Sequence, residues 1–151
     1  MEYNHLLLKT VFCCMASDGS IAPEEIDYVR DFIQSRQWDK EYNIEEILNS
    51  YVVNLNLSRS SFIKGYLEQL KNTSYSTEQI LEILGLAICT IEADNNIEYS
   101  EVKFFKKIRN CFTISDDAIL AKFPDKSDYL LPDVEYEEDE YTDIKIDYIS
   151  L

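Results

Sequence analysis

Glycine and proline are scarce in this chain, three of each in 151 residues, which excludes a turn-rich β-sandwich or barrel. Gly19, Gly65 and Gly85 lie too far apart to build a glycine-rich phosphate loop. His5 is the single histidine; no nearby residue completes a triad or a histidine-based metal site around it, so it reads as a packed or surface side chain. Cys13, Cys14, Cys89 and Cys111 have neither zinc spacing nor the pattern of a disulfide framework, and they read as buried free thiols. No Gly-x-Ser-x-Gly elbow, paired-cysteine motif or His-Glu-x-x-His occurs. Carboxylates alone can run an acid and base pair only in a cleft that separates their pKa values, so the expectation is a protein that is not an enzyme.

Basic side chains are scarce as well: 14 against 29 acidic ones, a formal charge of -15 and a pI near 4.3. Nucleic-acid binding through a basic face is thereby excluded, and an anionic membrane surface would be repelled. The partners that fit are cations and proteins with a basic surface. No apolar run approaches the ~20 residues that span a bilayer, and Met-Glu-Tyr-Asn-His at the start lacks the marks of a signal peptide. A soluble, cytoplasmic protein without a transmembrane segment is the expectation.

What is present is helical patterning on 46% hydrophobic content. Apolar residues recur at helical intervals from Tyr3 to Met15. Pro23 with Glu24 and Glu25 opens a second helix. Asn43 with Glu46 caps a third, and Ser60 or Ser61 is placed to cap a fourth. Ser76 and Gln79 form a capping box for a fifth, Thr77 to Ile91, whose apolar residues cover most of its circumference and place it at a bundle centre. A sixth runs from Tyr99 to about Cys111, and a short seventh follows Ser115 and ends before Pro124. The fold class is therefore all-α, a bundle of about seven helices.

Two domains of unequal kind are expected, a helical one over residues 1–123 and an acidic C-terminal arm over 124–151. Residues 125–151 hold ten acids and two lysines, so half the net charge sits in under a fifth of the chain. Glu135 to Glu140 is a run of the kind that stays solvated. Beyond it Ile144, Ile146 and Tyr148 alternate with polar residues, which suits an extended segment lying on the bundle or a short strand.

The strongest signal is an internal duplication at an offset of 76 residues. Phe12 to Ile26 overlays Ile88 to Val102 with Cys, Asp, Ile and Glu in register, and Gly19 and Asn95 share the slot that tolerates positive φ. Asp, then Gly or Asn, then Ile, then Glu matches positions five, six, eight and twelve of an EF-hand loop. Positions one and three are Cys14 and Ala16 in one copy and Thr90 and Glu92 in the other, which argues against a conventional calcium loop. Two readings stand. If the copies pack face to face, Asp18, Glu25, Asp94 and Glu101 can share a divalent cation, with Glu24, Glu92 and Glu98 around them. Alternatively the turn aspartates cap the following helices, the glutamates complement their dipoles, and Ile21 and Ile97 anchor the turns in the core.

Met15 to Glu25, Met-Ala-Ser-Asp-Gly-Ser-Ile-Ala-Pro-Glu-Glu, and its weaker copy Ile91 to Glu101 resemble the tellurite-resistance TerB-like family. The same turns are similar to the helical domain of some membrane-anchored J-domain co-chaperones. The resemblance covers residues 1–123; the second motif has Asn95 in place of glycine, and the acidic arm and the tyrosine-rich stretch from Trp38 to Tyr75 depart from the pattern. It implies an all-helical, non-enzymatic module of bacterial stress-response or defence clusters, with Asp18, Glu25, Asp94 and Glu101 as ligands of a divalent metal, Ca²⁺ or Mg²⁺. The alternative is a metal-free acidic interaction or inhibitory protein whose C-terminal arm captures a basic partner.

Overall fold

The computed structural model describes residues 2–17, 19–131 and 145–151. Its first helix, α1 (Glu2–Met15), carries Leu6, Leu7, Leu8, Val11, Phe12, Cys13, Cys14 and Met15, each no more than 1% exposed. Those side chains occupy most of the circumference, so α1 runs through the interior, where the sequence pattern suggested a one-sided stripe. Its polar interruption, Thr10, is satisfied inside: the hydroxyl donates to the Leu6 carbonyl at 2.8 Å and shares a 2.6 Å hydrogen bond with the Tyr66 hydroxyl.

Around it stand α2 (Pro23–Ser35), α3 (Ile44–Leu57), α4 (Arg59–Asn72), α5 (Thr77–Ile91), α6 (Tyr99–Arg109) and α7 (Asp116–Lys122), with short 3-10 turns at Trp38–Lys40 and Ser127–Leu130. The fold is all-α, with no strand among the described residues. The most extensive helix contact joins α1 to α5, so the first helices of the two similar sequence stretches form the centre together. Among the described residues no helix is long and apolar enough to cross a membrane.

Local bonds explain the helix limits. Asn43 Oδ1 accepts from the Glu46 amide at 3.2 Å, and the Ser76 and Gln79 side chains each accept the other's backbone N–H. The fourth helix starts earlier than Ser60 or Ser61. Ser58, at φ -160° and ψ 104°, ends α3 and caps α4 by accepting from the Ser61 amide; one extended residue suffices for both tasks, so the two helices share it. The sixth helix closes at Arg109, before Cys111.

Three expectations about exposure are corrected. Cys89 lies on the outer face of α5 and is exposed, although its neighbours in sequence are core. Ile97 is 48% exposed and does not anchor its turn, whereas Ile21 packs against the core. In the C-terminal segment Ile146 and Ile149 are buried and Tyr148 is 70% exposed, so the anchors are three residues apart and not alternate; Ile144 and the acidic run 135–140 lie outside the described residues.

Candidate functional site: two matched acidic turns

Among the described residues, the turns between α1 and α2 and between α5 and α6 share several hydrogen bonds at the offset of 76 residues. The Ala16 amide donates to Phe12 and the Glu92 amide to Ile88, each at 3.0 Å; Gly19 then donates to Ala16 at 3.2 Å and Asn95 to Glu92 at 3.1 Å. Gly19 has φ 91° and Asn95 φ 58°. Glycine meets this without a Cβ penalty, and asparagine is among the few side chains that tolerate it. Each turn then closes on the glutamate of the next helix: Glu25 Oε1 accepts from the Ala22 amide at 2.9 Å and Glu101 Oε1 from the Glu98 amide at 3.0 Å. One of the donors stranded at each helix start is satisfied in this way.

Both glutamates are only 3% exposed. They act on a common group, the Cys14 thiol at the end of α1. Its pKa stands well above the ordinary thiol value, first because it is buried, then through Cys13 and through the negative charges of Glu101 and Glu25. Burial, and next the neighbouring Cys89 of α5, raise the pKa of the Tyr28 hydroxyl of α2 to about 12, so side chains of the two halves are close here.

The four candidate ligands are placed unequally. Glu25 and Glu101 are brought inward. Asp94 is half-buried, its Oδ1 accepting from the Asn96 amide at 3.0 Å in an Asx turn. Asp18 lies outside the described residues. Among the described residues no group of three or more His, Cys, Asp or Glu side chains is arranged to hold a metal ion. Of the surrounding candidates, Glu24 and Glu98 are exposed, and Glu92 is engaged elsewhere: Lys126 Nζ donates to its two oxygens at 2.7 and 2.8 Å, and the Tyr129 hydroxyl donates to it at 3.0 Å. Tyr129 is itself buried edge-on against Phe105, with ring centroids 5.2 Å apart, so residues 126–130 of the expected arm are pinned to the second turn.

Sequence reasoning missed two cations. Arg59 of α4 is buried and donates to the carbonyls of Ala16 and Ser17 at the end of α1, where positive charge complements the helix dipole. Lys126, at the second turn, pairs instead with the Glu92 carboxylate. The one sequence signal for Arg59 is that a base in the first turn of a helix opposes its own dipole, a misfit that calls for a partner elsewhere.

Thiol chemistry checks this arrangement. Burial, relieved slightly by Lys9, holds the Cys13 pKa at about 12. At pH 8 a thiol reagent therefore modifies Cys89 first and Cys111 next, while Cys13 and Cys14 react only at the rate of unfolding; mass spectrometry of timed samples reads the order, and early labelling of Cys14 would contradict its placement. Because folding raises these pKa values, the stabilisation from keeping the thiols neutral is complete below the unfolded value of 9.0 and is lost as pH rises from there towards 12.

Comparison with protein-family models, with curated proteins and with solved structures finds no match to this chain.

Proposed function

We propose that the chain is a non-enzymatic, TerB-like helical module that mediates protein interactions in a bacterial stress response of the tellurite type or in defence. The observation that supports this reading is the pair of similar acidic turns, each of which buries the glutamate that closes it, Glu25 or Glu101. In this reading Asp18, Glu25, Asp94 and Glu101 are the oxygen donors for a divalent cation, Ca²⁺ or Mg²⁺. The buried glutamates suit a hard cation, since anionic oxygens shielded from water bind it strongly. Among the described residues Asp94 serves its own turn, and no group of three or more such side chains is arranged to hold the cation.

Titration with Ca²⁺ or Mg²⁺ tests the metal. A saturable rise in melting temperature is expected, worth about 2.7 kcal/mol at a hundredfold excess over Kd. It disappears in the Asp18→Asn plus Glu101→Gln variant; glutamine still accepts from the Glu98 amide, so the cap survives while the charge is removed. Millimolar Ca²⁺, Mg²⁺, Mn²⁺ and Zn²⁺ without effect would sink the cation site.

That result is what the alternative, a metal-free acidic module, expects. One observation favours it: Arg59 and Lys126 already bring positive charge to the two turns from within the chain.

A further inference from the structure

Residues 145–151 lie against α3 in a way that no helix of the bundle does. Asn56 Nδ2 donates to the Ile146 carbonyl at 3.0 Å while its Oδ1 accepts from the Ile146 amide at 2.9 Å. Asn49 repeats the arrangement on Ile149, at 3.0 and 2.7 Å. Each asparagine side chain thus takes the place of one residue of a neighbouring strand, and all four bonds go to backbone. The spacing has a physical basis. Seven residues of helix rise about 10.5 Å and three residues of extended chain span about 10 Å, so two asparagines two turns apart engage every third residue of a peptide. The two side chains so placed, Ile146 and Ile149, are the buried ones.

On its other side the segment faces the first acidic turn across a cavity of about 340 Å³ lined by Gly19, Ser20, Ile21 and Ile26. Leu151 borders a larger cavity, about 620 Å³, beside Ile33, Tyr42 and Ile44. The groove is thus wider than its occupant. Side-chain amides that bond only to main chain accept any extended chain, and the anchor pockets select the sequence, which is how extended peptides are read on protein surfaces.

We infer that the groove between α3 and the first acidic turn is a peptide-binding site, held in cis by residues 145–151 and open in trans to an extended segment of a partner protein with aliphatic side chains three residues apart. The inference rests on the reading of the chain as an interaction module and names the kind of partner. The cis segment competes at an effective concentration on the order of millimolar, so a partner must present a better-fitting segment, one that also fills the cavities beside residues 145–151.

The probe is a fluorescent peptide, Lys-Ile-Asp-Tyr-Ile-Ser-Leu, titrated into the full chain by anisotropy. Wild type binds it weakly. The Ile146→Asp plus Ile149→Asp variant, whose own segment is released, binds it at least tenfold more tightly, and adding Asn49→Ala and Asn56→Ala abolishes the gain. A peptide with aspartate at both anchors does not bind, whereas one with alanine at the exposed tyrosine binds equally well. Failure of the released variant to take up the peptide, with its helical circular dichroism intact, overturns the inference. Should that variant not fold, hydrogen exchange in wild type decides: millimolar peptide speeds exchange of the Ile146 and Ile149 amides if the groove is exchangeable, and unchanged rates overturn it. A dimer formed by swapping these segments, seen in sedimentation, would make a second copy the occupant and also overturn it. Cation titration of the acidic turns is independent of each of these readouts, so the two readings fail separately.

Discussion

Phe12→Ala lowers the free energy of unfolding by about 3–5 kcal/mol, the range for truncating a buried aromatic ring. The ring has no solvent exposure and meets Tyr51 of α3 at 5.5 Å and Phe62 of α4, edge-on at 87°, at 5.7 Å. Two helices with separate anchors therefore border the cavity, and neither can close it alone: α3 is tied to residues 145–151 by Asn49 and Asn56, and α4 to the end of α1 by Arg59. Domains of this size are stable by about 5–15 kcal/mol, so a large part of the total is lost. Urea denaturation should show a lower midpoint with an unchanged slope. A loss below about 1 kcal/mol would mean that α3 and α4 do close in. Leu57→Ala, at a side chain 77% exposed, is the control and changes stability by less than about 0.5 kcal/mol.

Arg59→Met costs about 2–4 kcal/mol, on the scale of losing charge-assisted hydrogen bonds and leaving buried acceptors unsatisfied. Methionine retains the packing of the aliphatic stem, so the loss reports the guanidinium, which holds the Ala16 and Ser17 carbonyls. Arg59→Lys restores only part of it, because both bonds come from the terminal Nη2 and a lysine ammonium ends one bond short of that position. The effect should persist in 1 M salt, since a buried interaction is screened far less than a surface pair. A change that salt erases would place Arg59 at the surface. The same variant bears on the proposed metal: with the fixed cation gone from the first turn, any Ca²⁺ response should strengthen.

Much of the helical framework was legible because its determinants lie within a turn of one another. Ser76 and Gln79 announce α5, Asn43 with Glu46 announces α3, and Gly19 and Asn95 mark turns whose backbone needs positive φ. Glu25 and Glu101 were legible as first-turn glutamates that complement a dipole, with the capping role expected of the turn aspartates; it is the glutamates that close the turns, each by a bond spanning three residues. Their burial was not legible. It depends on α1 and α5 packing together at the centre, and an N-terminal glutamate reads the same in sequence whether its helix start faces water or protein.

The sequence by itself determined the all-α class, the approximate limits of the seven helices and the two acidic turns, because these follow from bonds and apolar repeats between near neighbours. Only the tertiary structure decided which charges meet: Arg59 reaches the end of α1 from 42 residues away and Lys126 reaches Glu92 from 34. It also decided which side chains of residues 145–151 are buried, Ile146 and Ile149 and not Tyr148. An isolated extended chain alternates its faces, but this one lies on a helix, and the two-turn spacing of Asn49 and Asn56 selects every third residue instead.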